Sequence, residues 1–194
     1  GTGVGKSALL NALAGVELMR TGRQRPTTVR PALICRPGLD PEMLGIDPAM
    51  VEVVSRDLPR LAQLVLLDCP DSDTTEEESP AASATNLAQL RRVLPHCDVL
   101  LVTTTQQKYR SSRVAEELAA AAPGARLVFV QTHADQDADI RDDWRQALSE
   151  HYDPGHIFLI DSIEALRDAV EGREPRGEFA ALVDLLTRQY AGAA

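Results

Sequence analysis

Short apolar runs alternate along the chain with amphipathic stretches. The apolar runs predict strands at ALICRP, MVEVVSRD, AQLVLLD, DVLLVTTT, RLVFVQT and HIFLIDS. Apolar residues at helical spacing predict helices at SALLNALA, NLAQLRRVL, RSSRVAEELAAAA, DIRDDWRQALSEHY and GEFAALVDLLTRQY. Strands that alternate with helices of about ten to fifteen residues are typical of βαβ units. The pattern therefore predicts an α/β fold built on a mostly parallel sheet.

Two details of this pattern make sharper predictions. The run AQLVLLD is continuously apolar, which is typical of a strand that is buried on both faces. Gly15 follows the last residue of the first helix and is expected to end it. No repeat, linker or low-complexity tract divides the chain, so residues 1–194 are expected to form one domain.

The chain begins with GTGVGKSA, which matches a phosphate-binding loop except for the first glycine of that loop. Such a loop reads G-x-x-x-x-G-K-[ST] between a buried strand and a helix, and its leading glycine would stand one position before residue 1. A fold of this kind needs that strand inside its sheet. We therefore expect the chain to be an interior fragment of a longer protein, lacking the strand before the loop.

The residue types in this loop suit phosphate binding. Glycines let backbone N–H groups turn toward an anion, and the N-terminus of the following helix adds the positive end of its dipole. Lys6 is expected to reach the β- and γ-phosphates, and the Ser7 hydroxyl to coordinate Mg²⁺. The expected nucleotide contacts here are Gly3, Val4, Gly5, Lys6, Ser7 and Ala8. The alternative is a glycine-rich turn before an ordinary helix.

Polar residues follow three predicted strands where a guanine nucleotide would need them. Asp68 ends an apolar strand, the position of the second Mg²⁺-organising carboxylate in P-loop NTPases. Asp135 follows a later strand, and its carboxylate can accept hydrogen bonds from the N1 and N2 protons of guanine, a pair that adenine lacks. The turn around Ser162 can present a backbone N–H to the guanine O6. Taken alone, an aspartate after a strand is more often a cap or turn residue, and the three residues support one another through their order in the chain.

Together these motifs resemble the GTPase domains of P-loop GTPases related to translation factors, and most of all the bacterial dynamin-like and Era-like groups. The segments that carry the resemblance are GTGVGKS, RPTTVRP, DCPD, THAD and DSIEA, which reach to about residue 165. The resemblance implies a three-layer G-domain that binds GTP or GDP with Mg²⁺ and hydrolyses GTP.

The resemblance also implies roles for individual residues. Lys6 would contact the phosphates and contribute to catalysis, and Ser7 would bind Mg²⁺. Thr28 would be the switch I residue that ligates Mg²⁺ and the γ-phosphate and contributes to catalysis. Asp68 would contact Mg²⁺ through water, and Asp135 would read the guanine base.

Four positions depart from the family pattern. Asp71 stands where members carry a glycine whose N–H meets the γ-phosphate, and a carboxylate there would repel that phosphate. Thr132 and His133 replace an asparagine and a lysine but remain expected nucleotide contacts. Ser72 occupies the place of a water-orienting glutamine. We therefore expect slow hydrolysis unless a partner or self-association completes the site.

The segment RTGRQRPTTVR is basic and contains no acidic residue. An arginine from it can neutralise charge that develops on the transferred phosphoryl group. A solvated basic loop and a contact with an acidic membrane surface or partner are the alternatives. The arginines concerned are Arg20, Arg23, Arg25 and Arg30.

Composition narrows the classes of partner. A net charge of −9 at pH 7 argues against direct nucleic-acid binding by this domain. The three cysteines lack metal or redox spacing, which favours reduced, mostly buried thiols in a cytoplasmic protein, with a peripheral position at the inner membrane left open. The expected partners are a guanine nucleotide, a second copy through the nucleotide face, and a membrane or effector reached through segments outside this chain.

The sequence thus favours a nucleotide-switch GTPase domain of a bacterial dynamin-like protein that acts at membranes. Two alternatives stay open. One is an Era-like ribosome-assembly GTPase with the same chemistry. The other is a degenerate domain that serves as an interaction scaffold, which the departures from the family pattern favour.

Overall fold

The computed structural model describes residues 5–19, 30–69, 88, 90–106, 120, 123–149 and 153–189. Strands and helices alternate within these ranges, which confirms the predicted α/β class. The strands are β1 (Ala32–Cys35), β2 (Glu52–Ser55), β3 (Leu66–Asp68), β4 (Val99–Thr104), β5 (Arg126–Gln131) and β6 (Ile157–Leu159). The α-helices are α1 (Lys6–Ala14), α2 (Arg141–Ser149), α3 (Ser162–Val170) and α4 (Gly177–Asp184), the last continued by a π-helical turn at Leu185–Gln189.

The described strands form two sheets of three strands each. The order β4–β5–β6 is parallel throughout, with Val99 beside Arg126 and Phe129 beside Ile157. The other sheet has the order β2–β1–β3, in which β1 is parallel to β2 but antiparallel to β3. A parallel arrangement therefore dominates, as predicted, and β3 is the exception.

Helices cover both faces of the parallel sheet. Successive residues of β5 point to opposite sides, so neighbouring side chains of this strand contact different helices. Val130 packs in one cluster with Leu9 of α1, Ala165 of α3 and Leu182 of α4. Phe129 meets Trp144 of α2 on the other face, edge to face, with ring centroids 5.4 Å apart. Full burial of a side chain such as Leu182 contributes about 2 kcal/mol, so these two clusters anchor the helices to the sheet.

The strand predicted at AQLVLLD is shorter and less buried than expected. A 3₁₀ helix at Pro59–Ala62 takes up its first residue, and β3 begins only at Leu66. Leu66 and Leu67 are half-buried, and Val65 is 37% exposed. Leu66 and Leu67 point to opposite faces of the strand and neither is fully buried, so the prediction of a strand buried on both faces is wrong.

Two helix boundaries follow directly from local chemistry. Gly15 ends α1 with φ 84°, and its N–H bonds to the carbonyls of Asn11 and Ala12, as predicted for a C-cap glycine. Helix α3 was not predicted, although the sequence carries its signal. Asp161 is the N-cap and accepts hydrogen bonds from the N–H groups of Ile163 and Glu164.

None of the helices in the described ranges has both the length and the apolar character needed to cross a bilayer.

Candidate functional site

The N-terminus of α1 begins at Gly5, which is in the left-handed conformation with φ 67°. The Gly5 carbonyl accepts the first helical hydrogen bond, from Leu9 N at 2.9 Å. Among the described residues no side chain caps this end, and the first turn contains no acidic residue. The first N–H groups of a helix lack partners within the helix and carry the positive end of its dipole. This end of α1 is therefore suited to bind an anion such as phosphate.

Gly5 lies directly against the turn that follows β5. A Cβ atom on Gly5 would come within 3.0 Å of His133 Nε2 and 3.1 Å of Thr132 Cβ. The positive φ favours glycine independently of this contact. The start of α1 and the turn after β5 thus meet at a distance that only glycine allows, and a single ligand can contact both.

Lys6 lies in the first turn of α1, and Asp68 is the last residue of β3. The Lys6 ammonium group donates hydrogen bonds to Asp68 Oδ1 and to the carbonyl oxygen of Cys69. The side chain of Asp68 is 4% exposed, and that of Lys6 is 22% exposed. A carboxylate at this depth requires a partner, and Lys6 provides one. Two residues that the sequence assigned to the phosphates and Mg²⁺ are therefore in contact.

The turn Thr132–Asp135 is anchored at its first residues. Thr132 is fully buried, and its hydroxyl donates to the Thr104 carbonyl at 3.1 Å. The His133 carbonyl accepts hydrogen bonds from Gln136 N at 3.0 Å and Asp137 N at 2.8 Å. His133 itself has φ 59°, a left-handed conformation that is uncommon outside glycine and in which asparagine, aspartate and histidine are enriched. The turn therefore holds its shape through backbone contacts, with some strain at His133.

Asp135 and Ser162 occupy the two turns to which base recognition was assigned. Asp135 is exposed, and its carboxylate accepts a hydrogen bond from Gln136 Nε2 at 2.9 Å. The two turns are joined by a hydrogen bond from Ala134 N to Ile160 O at 3.4 Å. Ser162 begins α3 and is 4% exposed, and its hydroxyl has no partner among the described residues. A buried hydroxyl without a partner is a group that a ligand can satisfy.

Three observations indicate that the residues present can accommodate a nucleotide with Mg²⁺. The Gly5 cradle leaves no room for a Cβ atom, the first turn of α1 itself contains no acidic residue, and the Ser162 hydroxyl has no partner among the described residues. Within the described ranges no three His, Cys, Asp or Glu side chains are arranged to hold a metal ion. Mg²⁺ in nucleotide sites uses one or two protein oxygens, the phosphates and water, so it needs no such cluster. Ser7 and Asp68 are the described oxygen donors assigned to it.

Some of the predicted residues lie outside the described ranges. They are Gly3, Val4, Thr28, Asp71, Ser72, Arg20, Arg23 and Arg25. Ser7 and Ala8 are described and half-buried in the first turn of α1, beside Lys6. Arg30 is described as well, and its guanidinium donates to the Ala49 carbonyl at 3.4 Å. Arg30 therefore binds the 3₁₀ helix at Pro48–Met50, and nothing places it at the phosphate site.

Two buried amides that shape the site were not singled out from the sequence. Asn11 is fully buried in α1 and accepts hydrogen bonds from Leu18 N at 2.9 Å and Met19 N at 2.8 Å. Gln131 is fully buried at the end of β5 and bonds to residues 138 and 140. For Asn11 the signal was an amide inside an otherwise apolar helix. For Gln131 the signal was an amide directly before the polar turn.

The thiols near the site are not expected to react as nucleophiles at neutral pH. Burial raises the pKa of Cys69 to about 12, although the nearby Lys6 ammonium acts in the opposite direction. Burial and the neighbouring Asp98 raise the pKa of Cys97 to about 11. Both thiols are therefore protonated at neutral pH and unsuited to nucleophilic chemistry. Cys35, Cys69 and Cys97 are free cysteines, of which Cys35 is buried and the other two are half-buried.

Comparison of the chain with protein-family models gives no match, and comparison with curated proteins gives none either.

Proposed function

We propose that the chain is a Mg²⁺-dependent domain that binds guanine nucleotides and hydrolyses GTP, built as a P-loop G-domain of the dynamin-like kind. The observation that carries the proposal is the meeting of three elements. The open N-terminus of α1, the Lys6–Asp68 pair and the turn at Thr132–His133 converge around Gly5. A phosphate site and a base-reading turn side by side are what one nucleotide requires.

The phosphates would bind to the first N–H groups of α1 and to Lys6. The ammonium group now bound to Asp68 and to the Cys69 carbonyl would turn to the β- and γ-phosphate oxygens. Its charge would then oppose the negative charge that develops on the phosphoryl group during transfer. Ser7, Thr28 and Asp68 are the residues that would hold Mg²⁺, which would supply further positive charge beside the phosphates.

The base would lie beside the two joined turns. Asp135 is exposed and can accept two hydrogen bonds from guanine, while adenine has no such donor pair. Ser162 adds a buried hydroxyl at the neighbouring turn. Thr132 has its hydroxyl committed to the Thr104 carbonyl, so its part is to anchor the turn. His133 would contribute through its ring, which already lies against Gly5.

We propose that hydrolysis by the isolated chain is slow. The sequence has Ser72 where a water-orienting glutamine is expected, and the Arg30 guanidinium donates to the Ala49 carbonyl. A second copy or another partner would then complete the site, and loss of the γ-phosphate would release the loops that contact it. Action at a membrane, through segments beyond this chain, and a cytoplasmic location belong to the same proposal.

The first test is titration of the chain with fluorescent GTP, GDP and ATP in the presence of Mg²⁺. Wild type should prefer GTP and GDP, and Lys6→Ala should weaken binding of both. Asp135→Asn should move the preference from guanine toward xanthine, because xanthine has a carbonyl acceptor at C2 where guanine has an amino donor. Equal binding of ATP and GTP would exclude the assignment of Asp135 as the base reader.

A second candidate, an interaction scaffold that needs no nucleotide, is favoured by the internal pairing of Lys6. Its ammonium group already has a carboxylate and a carbonyl as partners. A scaffold would bind neither nucleotide nor inorganic triphosphate, with or without Mg²⁺. Binding of triphosphate that Lys6→Ala abolishes would remove this candidate.

A further inference from the structure

Gln131 is a polar side chain in the middle of the fold. It is the last residue of β5 and is fully buried, between β4 and β6. A buried amide is unfavourable unless its hydrogen bonds are made. The Gln131 amide makes two, donating from Nε2 to the Ala138 carbonyl at 2.7 Å and accepting from Ile140 N at 3.0 Å.

These two hydrogen bonds close a loop. They join the end of β5 to residues 138 and 140, and the intervening segment contains Thr132, His133 and Asp135. The backbone of Gln131 acts in the same place, since its carbonyl accepts a hydrogen bond from Ile160 N at 2.9 Å. One residue therefore fixes the turn that carries Asp135 and also touches the segment that leads to Ser162.

A second, more exposed brace holds the far side of the same loop. Gln106 N donates to Asp137 Oδ2 at 3.0 Å, and Ala138 N donates to Gln106 Oε1 at 3.2 Å. Water competes for these bonds because Gln106 is exposed, whereas it does not reach Gln131. The buried amide is therefore the stronger constraint on the loop, and Gln106 provides a matched control.

We propose that Gln131 is the positioning residue for base recognition: its amide clamp holds the Thr132–Asp135 turn in the shape that presents Asp135 to guanine. This inference rests on the proposed function, because the turn is assigned to the base there. Gln131 acts through Asp135 and does not itself contact the nucleotide. Loss of the clamp should then cost selectivity for guanine and leave phosphate binding in place.

The test compares wild type with Gln131→Met, which keeps the length of the side chain and removes both hydrogen bonds. Fluorescent GTP and ATP and inorganic triphosphate are titrated in the presence of Mg²⁺. Selectivity for GTP over ATP should fall by about tenfold, the effect of one to two hydrogen bonds to a ligand. The affinity for triphosphate should stay within about twofold, since Lys6 and α1 are untouched. Gln106→Ala should lose less selectivity than Gln131→Met.

A readout without nucleotide tests the clamp itself. Backbone hydrogen exchange at Ile140 N–H should be slow in wild type and fast in Gln131→Met, and nearly unchanged in Gln106→Ala. If Gln131→Met does not fold, Gln131→Asn replaces it. Asn keeps a buried amide but is one methylene shorter, so it cannot bridge residues 138 and 140 together, and it must show the same selective loss.

The results of these titrations distinguish failure of the proposed function from failure of the role proposed for Gln131. A wild type without preference for guanine would overturn the proposed function. A wild type that prefers guanine, together with a Gln131→Met variant that folds and keeps the full preference, would overturn the role of Gln131 alone. Equal losses for GTP, ATP and triphosphate would also overturn it, because they would show that Gln131 supports the whole site and has no special part in base recognition.

Discussion

Lys6 and Asp68 form an ion pair between the first turn of α1 and the end of β3, 62 positions apart in sequence. The pair satisfies a carboxylate that is almost fully buried, and it engages the ammonium group that the phosphates would need. On the proposed function, nucleotide binding would be an exchange in which Lys6 leaves Asp68 for the phosphates and Asp68 becomes one of the residues that would hold Mg²⁺. The pair would then be both a stabilising contact and a competitor of the ligand.

Removing one partner of this pair should destabilise the fold. Lys6→Met leaves the buried Asp68 carboxylate without its cation, and we expect a loss of about 2 kcal/mol, below the cost for a fully buried pair because Lys6 is 22% exposed. Urea denaturation without nucleotide measures the loss. The double variant Lys6→Met/Asp68→Leu should recover part of it, because no unpaired charge remains. A double variant less stable than Lys6→Met would show that the pair is not the source of the effect.

The competition also predicts an effect on binding. Asp68→Asn removes the charge that holds Lys6, so inorganic triphosphate without Mg²⁺ should bind roughly tenfold more tightly than to wild type, since weakening a partly buried ion pair releases about 1 to 2 kcal/mol. The added affinity that Mg²⁺ gives to GTP should disappear in the same variant. Calorimetric titration with and without Mg²⁺ separates the two effects. An unchanged Mg²⁺ dependence would remove Asp68 from the metal site.

Gly5 should not tolerate a side chain. Gly5→Ala places a Cβ atom 3.0 Å from His133 Nε2 and adds the strain of a positive φ. Gly38 is the matched control, because it has φ 81° and nothing within 4 Å of the added Cβ atom. We expect Gly38→Ala to lose about 1 kcal/mol from backbone strain alone and Gly5→Ala to lose about 1 kcal/mol more. Thermal melting measures both.

A second substitution tests the cause of that difference. His133→Gly removes the ring that faces Gly5 and relieves the strain at φ 59°, so it should rescue Gly5→Ala in the double variant. If the double variant is as unstable as the sum of the single ones, the contact between Gly5 and the turn is not what excludes a side chain.

These residues show what a sequence can and cannot predict here. The positions of Gly5 and Lys6 at the start of α1 follow from a contiguous motif, and Gly15 and Asp161 act on their own helix ends, so each carries a local signal. The Gln131 clamp depends on how a turn folds back over the end of β5, which spacing alone does not specify.

The limited burial of β3 could not be predicted for a related reason. An apolar run such as AQLVLLD indicates a strand, but the burial of its two faces depends on what packs over them. In the described sheet β3 lies beside β1, and Leu66 and Leu67, on opposite faces, are both half-buried. The hydrophobic pattern predicted a strand here, and the packing over its faces determined its exposure.

Ion pairs between Asp168 of α3 and two arginines of the segment that follows α3 should make the stability of the fold sensitive to acid. Asp168 is 5% exposed and accepts hydrogen bonds from Arg176 and Arg173, which hold its pKa below the usual value. A carboxylate with a lowered folded pKa contributes stability above its unfolded pKa of about 3.9, and this contribution is lost as the pH falls through the lower folded value. Asp168→Asn should therefore melt earlier than wild type at neutral pH.

The pH dependence of the melting temperature tests whether the charge of Asp168 is responsible. The difference in melting temperature between wild type and Asp168→Asn should shrink as the pH falls below about 4, because protonated Asp168 resembles asparagine. Asp184→Asn breaks an exposed pair with Arg188 and should change the melting temperature little at any pH. A difference for Asp168→Asn that is constant from neutral to acidic pH would mean that the side chain contributes through packing, and that its charge plays no part.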